Sequence, residues 1–219
     1  MRRSRAVPGR GIRPAFGFLG PLIAAVFLFT LACGGQSDVA AGGLRGVPVV
    51  PPVPAPDFTL TATDGRPFHL KPEANGRVAL LFFGYTHCPD VCPVHMAAIA
   101  AALHAVPSDV AQRVRVIFVT VDPARDQPAR LRAWLDNFDP SFVGLRGATS
   151  DVDRIQTLLH LVPATIETTA DTNYRVGHGA AVIAVIGDSA RVLYPFGTRQ
   201  VDWQHDLPRL VAAIPQTTS

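Results

Sequence analysis

A continuous apolar run that leads directly towards a helical pattern constrains the fold of this chain more than any other feature. Residues 78–83, VALLFF, contain no polar side chain, and residues 114–121 form a second run rich in β-branched residues. Such runs are typical of strands buried on both faces of a sheet. The helical pattern of residues 91–105 lies between them. A strand, a helix and a second strand in this order predict a parallel pair with a crossover helix, and hence an α/β domain.

The remaining patterns predict a mixed sheet. The turn signal at residues 64–65 lies between short apolar runs at 58–60 and 67–70, which predicts a β-hairpin near the start of the domain. A second hairpin is expected from 180–186 and 191–195, and residues 163–173 are polar and rich in turn formers. Further helices are expected at 127–138, 150–161 and 201–214, the last interrupted near Pro208, with a short strand at 142–145. We therefore expect a central mixed β-sheet flanked by helices, with an N-terminal β-hairpin.

Two cysteines, Cys88 and Cys92, lie where the first buried strand gives way to the helix. Near a helix N-terminus the partial positive charge and the unpaired N–H groups favour thiolate over thiol. A reactive cysteine after the first long strand of a mixed sheet suggests a thioredoxin-like fold. The C-x-x-x-C spacing puts both residues on one helix face, where they can bind one ion or form a disulfide. Redox exchange and metal binding both remain open from this pattern.

The N-terminus has the form of an export signal. Residues 1–32 contain five arginines and no carboxylate, and an apolar stretch covers 16–32. The run Thr30-Leu31-Ala32-Cys33 resembles a bacterial lipoprotein cleavage site, so we expect residues 1–33 to be a leader with Cys33 lipidated. An uncleaved membrane anchor is the alternative. Either interpretation predicts a domain in the bacterial cell envelope, periplasmic and anchored to the membrane.

The positive net charge of the chain belongs to this leader. The whole chain has 20 basic and 17 acidic residues, and removing the five arginines leaves 15 against 17. A net charge of about −2 gives no reason to expect nucleic acid as a partner. Residues 34–56 are small and proline-rich and predict an extended tether, so the folded domain is expected over 57–219.

Two thiolates suit Cu(I) or Zn, but a protein site for either metal usually has a third ligand. His178 is the leading candidate because Gly177 and Gly179 leave its ring open and a buried strand follows it. On spacing alone, a role as ligand and a local hydrogen-bonding role are about equally favoured. His87 ranks lower, and His95 is more consistent with a solvated position. The other four histidines are expected at the surface or its boundary: His69, His104, His160 and His205.

The run Gly84-Tyr85-Thr86-His87-Cys88-Pro89-Asp90-Val91-Cys92-Pro93 resembles the signature of the Sco/SenC family of copper-binding assembly factors for cytochrome c oxidase. The blocks at 121–126 and 142–147 are similar to two further blocks of that family, and the resemblance spans about 54–214. It implies a thioredoxin-like fold and copper, as Cu(I) or Cu(II) or both, bound by Cys88, Cys92 and His178. Family members often have Asp before the histidine and Ser or Thr after it, whereas this chain has glycine at both positions.

Two functions follow as hypotheses. The first is a membrane-tethered copper chaperone for the binuclear copper centre of the oxidase's copper-bearing subunit, with other periplasmic copper chaperones or thioredoxin-like reductants as further partners. The second is a thiol–disulfide oxidoreductase that reduces the cysteine ligands of that centre, with Cys88 and Cys92 as its redox pair. A peroxidase function finds no peroxide-binding residues here. Asp122 and Asp126 are interpreted as a strand-end residue and a helix cap, and Asp90 as a turn residue or a local charge.

Overall fold

The computed structural model describes residues 43–168 and 174–215. Its strands are β1 Val47–Pro54, β2 Thr59–Ala62, β3 Pro67–His69, β4 Val78–Gly84, β5 Val114–Thr120, β6 Val143–Arg146, β7 Thr165–Thr168, β8 Tyr174–Gly177, β9 Val182–Ile186 and β10 Ser189–Tyr194. Its helices are α1 Leu70–Ala74, α2 Val91–Ala105, α3 Ser108–Ala111, α4 Pro128–Leu135, α5 Thr149–Leu158 and α6 Gln200–Ala212.

Eight strands form one mixed sheet in the order β1-β10-β9-β4-β5-β6-β2-β3, and β7 pairs with β8 in a separate hairpin. The central strands β4, β5 and β6 are parallel, and the flanking pairs are antiparallel. The hairpin of β2 and β3 confirms the one expected near the start of the domain. A central mixed sheet flanked by helices is therefore confirmed.

The unit β4–α2–β5 forms the centre of the core. All seven residues of β4 are buried, and β4 pairs in register with β5, with Phe82 opposite Phe118. On this face Phe82 packs against His95 of α2, and Phe118 packs against Trp134 of α4. Helix α2 buries Met96, Ile99, Ala102 and Leu103, which recur at helical spacing, and packs against α6. The end of β4 and the start of α2 are thus fixed by a well-packed core.

The predicted tether over 34–56 differs from the structure in its last third. Residues 47–54 form β1, which pairs antiparallel with β10 at the edge of the sheet. The four prolines of this strand suggested extended chain without partners. Proline lacks the N–H that a ladder needs, but an edge strand presents one side to solvent and tolerates it. The register shift between Pro48 and Val53 accommodates the prolines.

Three other local expectations differ from the structure. The turn-rich segment 163–173 contains β7 and leads into β8, and Ile166 pairs with Val176. Helix α6 continues through Pro208 without interruption. The short helices α1 and α3 were not predicted from the sequence.

The predicted leader and Cys33 lie outside the described residues. Among the helices in 43–168 and 174–215, none is long and apolar enough to span a membrane.

Candidate metal centre

The segment between β4 and α2 carries both cysteines. The carboxylate of Asp90 accepts a hydrogen bond from the Val91 N–H at 2.6 Å and caps α2, so Asp90 has a defined role in the turn. Cys88 lies just before this cap, and Cys92 is the second residue of the helix. The backbone N–H of Cys92 donates to Cys88 Sγ at 3.4 Å. The helix N-terminus therefore directs an otherwise unpaired donor at the first sulfur, as the sequence suggested.

His178 reaches the same point from the loop between β8 and β9. Its Nε2 lies 3.5 Å from Cys92 Sγ, and its Nδ1 lies 3.0 Å from the carbonyl oxygen of Gly179. A carbonyl only accepts, so Nδ1 carries the proton and Nε2 is left free to accept or to bind an ion. Tyr85 lies with its ring edge-on to the imidazole, at 5.5 Å between centroids.

The structure thus brings together the three residues that the resemblance implied. The Sγ atoms of Cys88 and Cys92 and one nitrogen of His178 all lie within 4.8 Å of one another, and both cysteines are free thiols. Cys92 is fully buried, Cys88 is 9% exposed and His178 is half-buried. The site therefore opens to solvent at Cys88 and His178, with Cys92 at its base.

The two thiols have opposite electrostatic environments. The Cys92 side chain, reinforced by its backbone N–H, lowers the pKa of Cys88 to about 4 despite partial burial. Burial raises the pKa of Cys92, and the neighbouring Cys88 sulfur raises it further. At neutral pH the pair therefore consists of one thiolate and one thiol, because the buried site does not favour two adjacent negative charges.

Gly84, the last residue of β4, makes room for the buried sulfur. A Cβ at this position would lie 2.8 Å from Cys92 Sγ and about as close to the rings of Phe82 and Phe118. Any larger residue would displace the sulfur or the aromatic core beneath it. The glycine in the sequence signature is thus explained by close approach of a side chain, not by a special backbone angle.

Asp126 has a role at the site, and its interpretation as a helix cap is wrong. Its carboxylate is fully buried and accepts hydrogen bonds from the Thr86 N–H at 3.0 Å, the Thr86 hydroxyl at 2.5 Å and the Thr120 hydroxyl at 2.6 Å. The cap of α4 is Gln127, without a side-chain hydrogen bond. Asp126 therefore ties the cysteine-bearing segment to the end of β5.

Asp122 likewise does more than end a strand. It pairs with Arg125 and accepts a hydrogen bond from the Tyr174 hydroxyl at 2.7 Å. The Arg125 guanidinium lies 3.8 Å from the centre of the Tyr174 ring and donates to the Tyr174 carbonyl at 3.1 Å. These contacts fix the start of β8, the strand that leads to His178.

The remaining histidines near the site are not among the grouped ligands. His87 is 36% exposed, with Nδ1 4.0 Å from a carboxylate oxygen of Asp126. His95 is buried, 1% exposed, so its expected solvated position is wrong. Burial lowers the pKa of His95, and its Nε2 bonds to the carbonyl oxygen of Ala180 at 2.9 Å. The apolar residues that neighbour His95 in the sequence could have indicated its burial. They do not distinguish a buried histidine from one at the boundary between core and surface.

The donor set suits a soft metal ion. Two sulfurs and one imidazole nitrogen match the preference of Cu(I) and Zn for thiolate and imidazole ligands. Metal–sulfur and metal–nitrogen distances of about 2.3 and 2.0 Å allow ligand atoms on one ion to lie up to about 4.3 Å apart. The 3.5 Å separation of Cys92 Sγ and His178 Nε2 falls inside that limit. The residues present therefore fit one metal ion with small adjustments.

The protein is therefore an α/β protein with a candidate site for a soft metal ion. Two thiols after the central strand β4 and an imidazole before β9 form this site. Residues 51–211 match the family model described as SCO1/SenC. The chain belongs to the SCO1/SenC family, because this match covers well over half of its length. The family resemblance of the cysteine run is thereby confirmed.

Solved structures and a curated relative agree with this assignment. Sco1 from Thermus thermophilus, solved without metal, is 32% identical, with a TM-score of 0.69 over 78% of this chain and 99% of that one. ScoI from Bradyrhizobium japonicum, solved with copper bound, is 33% identical, with a TM-score of 0.63 over 71% and 98%. Protein sco1 of Schizosaccharomyces pombe is 40% identical over 80 residues, 36% of this chain and 30% of that protein. The thioredoxin-like fold is confirmed, and the chain spans under a third of the yeast protein.

Proposed function

We propose that this chain is a membrane-tethered copper chaperone, which binds one copper ion through Cys88, Cys92 and His178 and delivers it to the binuclear copper centre of cytochrome c oxidase. The convergence of the three donor atoms at one opening of the fold carries the proposal. The 33% identical Bradyrhizobium japonicum ScoI, solved with copper bound, supports copper as the ion. The family resemblance supports the oxidase as the recipient.

The arrangement of the ligands suits ion transfer. The Cys88 thiolate, 9% exposed and with a lowered pKa, is ready to bind an incoming soft cation at neutral pH. The buried Cys92 thiol releases its proton when the ion arrives, because metal binding deprotonates a coordinating thiol. His178 presents Nε2 with its proton held on Nδ1. Since Cys88 and His178 reach solvent, an acceptor protein's ligands can approach the ion from their side.

Copper titration of the reduced chain tests the binding step. We expect one copper ion per wild-type chain, no tight binding after Cys88→Ser or Cys92→Ser, and at least tenfold weaker binding after His178→Ala. His104→Ala is the matched control, because His104 is exposed and bonds to Asp139 away from the site. A reduced wild-type chain that binds copper no better than the double-cysteine variant contradicts the proposal.

A second function is favoured by the unequal thiols. A Cys88 thiolate beside a Cys92 thiol can attack a disulfide of a partner protein and form a mixed disulfide. Cys92, once deprotonated, would then release the reduced partner and leave an oxidised Cys88–Cys92 pair. This reductase needs both cysteines, and it has no need of His178 as a ligand.

Oxidase activity restored in a strain lacking the gene separates these two functions. Delivery predicts that His178→Ala and Cys88→Ser lose activity to a similar extent. Retained activity in the His178→Ala strain together with loss in the Cys88→Ser strain favours reduction of the partner instead. Protein level in the membrane fraction is the control for both variants.

The cellular location that we propose for the folded domain is the one that the N-terminal sequence predicts. We place the folded domain on the outer side of the cytoplasmic membrane, held through residues 1–33 as a lipoprotein at Cys33 or as an uncleaved anchor. The basic, apolar leader supports this placement. Since residues 47–54 belong to the sheet, the proposed tether is shorter than 34–56.

A further inference from the structure

His95 is a buried histidine that the proposed ligand set does not use. Its ring packs between Phe82 and Phe196, at 5.2 and 5.7 Å between centroids. It follows Cys92 by three residues on α2, and residues three apart share a helix face. A buried imidazole needs a hydrogen-bond partner to offset its lost hydration. The position of that partner defines what His95 does.

The partner of His95 lies in the loop that carries His178. His95 Nε2 is 2.9 Å from the carbonyl oxygen of Ala180, two residues after His178. Because the carbonyl accepts, Nε2 carries the proton and donates it. This hydrogen bond thus joins the helix that carries Cys92 to the loop that carries His178.

The His178 ring packs against Tyr85 and Phe82, at 5.5 and 6.0 Å between centroids, but the rest of the loop 178–181 has few restraints. Within the described residues, it makes no backbone–backbone hydrogen bond outside the strand ladders. The Nδ1 of His178 bonds to Gly179 inside the same loop, so that bond orients the ring without anchoring the loop. A Cβ at Gly179 would meet no atom within 4 Å, so packing does not confine the backbone there. Apart from the contact between Cys92 and His178, the His95 bond is the described side-chain link from this loop to α2.

We propose that His95 is a positioning residue, which holds the loop 178–181 against α2 and keeps the His178 imidazole within reach of the Cys92 sulfur. The inference rests on the proposed copper site. Loss of the bond leaves the Ala180 carbonyl without its partner and lets the loop move away from the cysteines. Partners that orient a metal ligand typically change metal affinity about 10–100-fold.

The comparison of His95→Leu with His95→Gln tests this role in the full-length chain. The Gln side-chain nitrogen is as many bonds from Cα as His Nε2 and can donate to Ala180, whereas Leu cannot donate. We expect His95→Leu to bind copper at least tenfold more weakly in chelator competition and to change the Cu(II) absorption and EPR spectra towards those of His178→Ala. His95→Gln should remain within about threefold of wild type. His104→Leu, an exposed position on the same helix, is the control for loss of a histidine.

Three outcomes overturn the role of His95. The first is wild-type copper affinity and spectra in His95→Leu. The second is an equal loss of copper affinity in His95→Leu and His95→Gln. The third is a His95 ring protonated at Nδ1 in nitrogen NMR of the metal-free wild-type chain. The NMR measurement needs no variant to fold, and an Nε2-bound proton with slow exchange supports the proposal. A wild-type chain that binds no copper contradicts the proposed function instead, and the NMR result still tests the bond.

Discussion

At the scale of the residue, the asymmetry between two thiols four positions apart is the main property of the site. Cys88 and Cys92 are close enough to share an ion, yet Cys88 is a slightly exposed thiolate and Cys92 a fully buried thiol. The difference arises because the helix begins between them. Cys88 receives the donors at the helix end, and Cys92 lies inside against Gly84.

The asymmetry predicts how the reduced, metal-free protein titrates. Thiolate absorbance near 240 nm, measured as wild type minus Cys88→Ser to remove the signal of Cys33, should persist at pH 6 and disappear around the pKa of Cys88, about 4. Because the folded pKa of Cys88 is lowered, its contribution to stability is complete above its unfolded pKa of about 8.5 and is lost as the pH falls towards 4.

Removing the second thiol is the control for this titration. Cys92→Ala removes the side-chain donor that most lowers the pKa of Cys88, so the transition should move to higher pH. A wild-type transition near 8.5 would show that the thiolate is not stabilised in the folded chain.

Some residues of the site could be predicted from the sequence, and others could not. Cys88, Cys92 and His178 were recognisable because their residue types carry chemistry and their neighbours form a family signature. His95 and Asp126 were placed at the surface or in a cap because polar residues are mostly exposed. Their burial depends on contacts with Ala180, Thr86 and Thr120, which come from other parts of the chain.

At the scale of the element, the site lies where three connecting segments meet at one end of the central strands. The segment after β4 supplies the thiols, the segment after β5 supplies Asp126, and the loop before β9 supplies His178. Because β4 lies between β5 and β9, these three segments are neighbours at the same end. The buried Asp126 carboxylate is the link between the first two.

Asp126→Asn tests that link. One of the donors on Thr86 or Thr120 would then face an amide N–H, so we expect the free energy of unfolding to fall by about 1–3 kcal/mol and copper affinity to weaken. Urea unfolding of the metal-free chain measures the first effect. Asp136→Asn, an exposed carboxylate paired with Arg132, is the control and should change stability by less than about 1 kcal/mol. Equal stabilities of the two variants would contradict a role for Asp126 in fixing the segment.

Elements with strong local patterns were predictable, and elements made by pairing were not. The structure confirms α2 at residues 91–105 because its apolar residues recur at helical spacing. Strand β1 was missed because its prolines argue against a ladder, although the edge position beside β10 tolerates them. Strands β7 and β8 were missed because each has only four residues, partly polar, and their pairing lies outside the main sheet.

At the scale of the whole molecule, a rigid sheet supports a site whose ligands come from two separate parts of the chain. The thiols belong to the tightly packed β4–α2 unit, whereas His178 follows the β7–β8 hairpin. The contacts of Tyr174 with Asp122 and Arg125 join the hairpin to the site, and the bond from His95 to Ala180 joins the loop that follows it. The proposed ion would therefore be held between two parts of the chain, the packed β4–α2 unit and the loop that follows the β7–β8 hairpin.

Copper X-ray absorption of the reduced full-length chain, loaded with one equivalent of Cu(I), identifies the ligands of the proposed copper site. We expect two sulfur ligands and one nitrogen ligand in the wild-type chain, loss of the nitrogen in His178→Ala, and no tightly bound copper in Cys88→Ser. A wild-type spectrum with no sulfur ligand, or one that Cys88→Ser and Cys92→Ser leave unchanged, would contradict the proposed site.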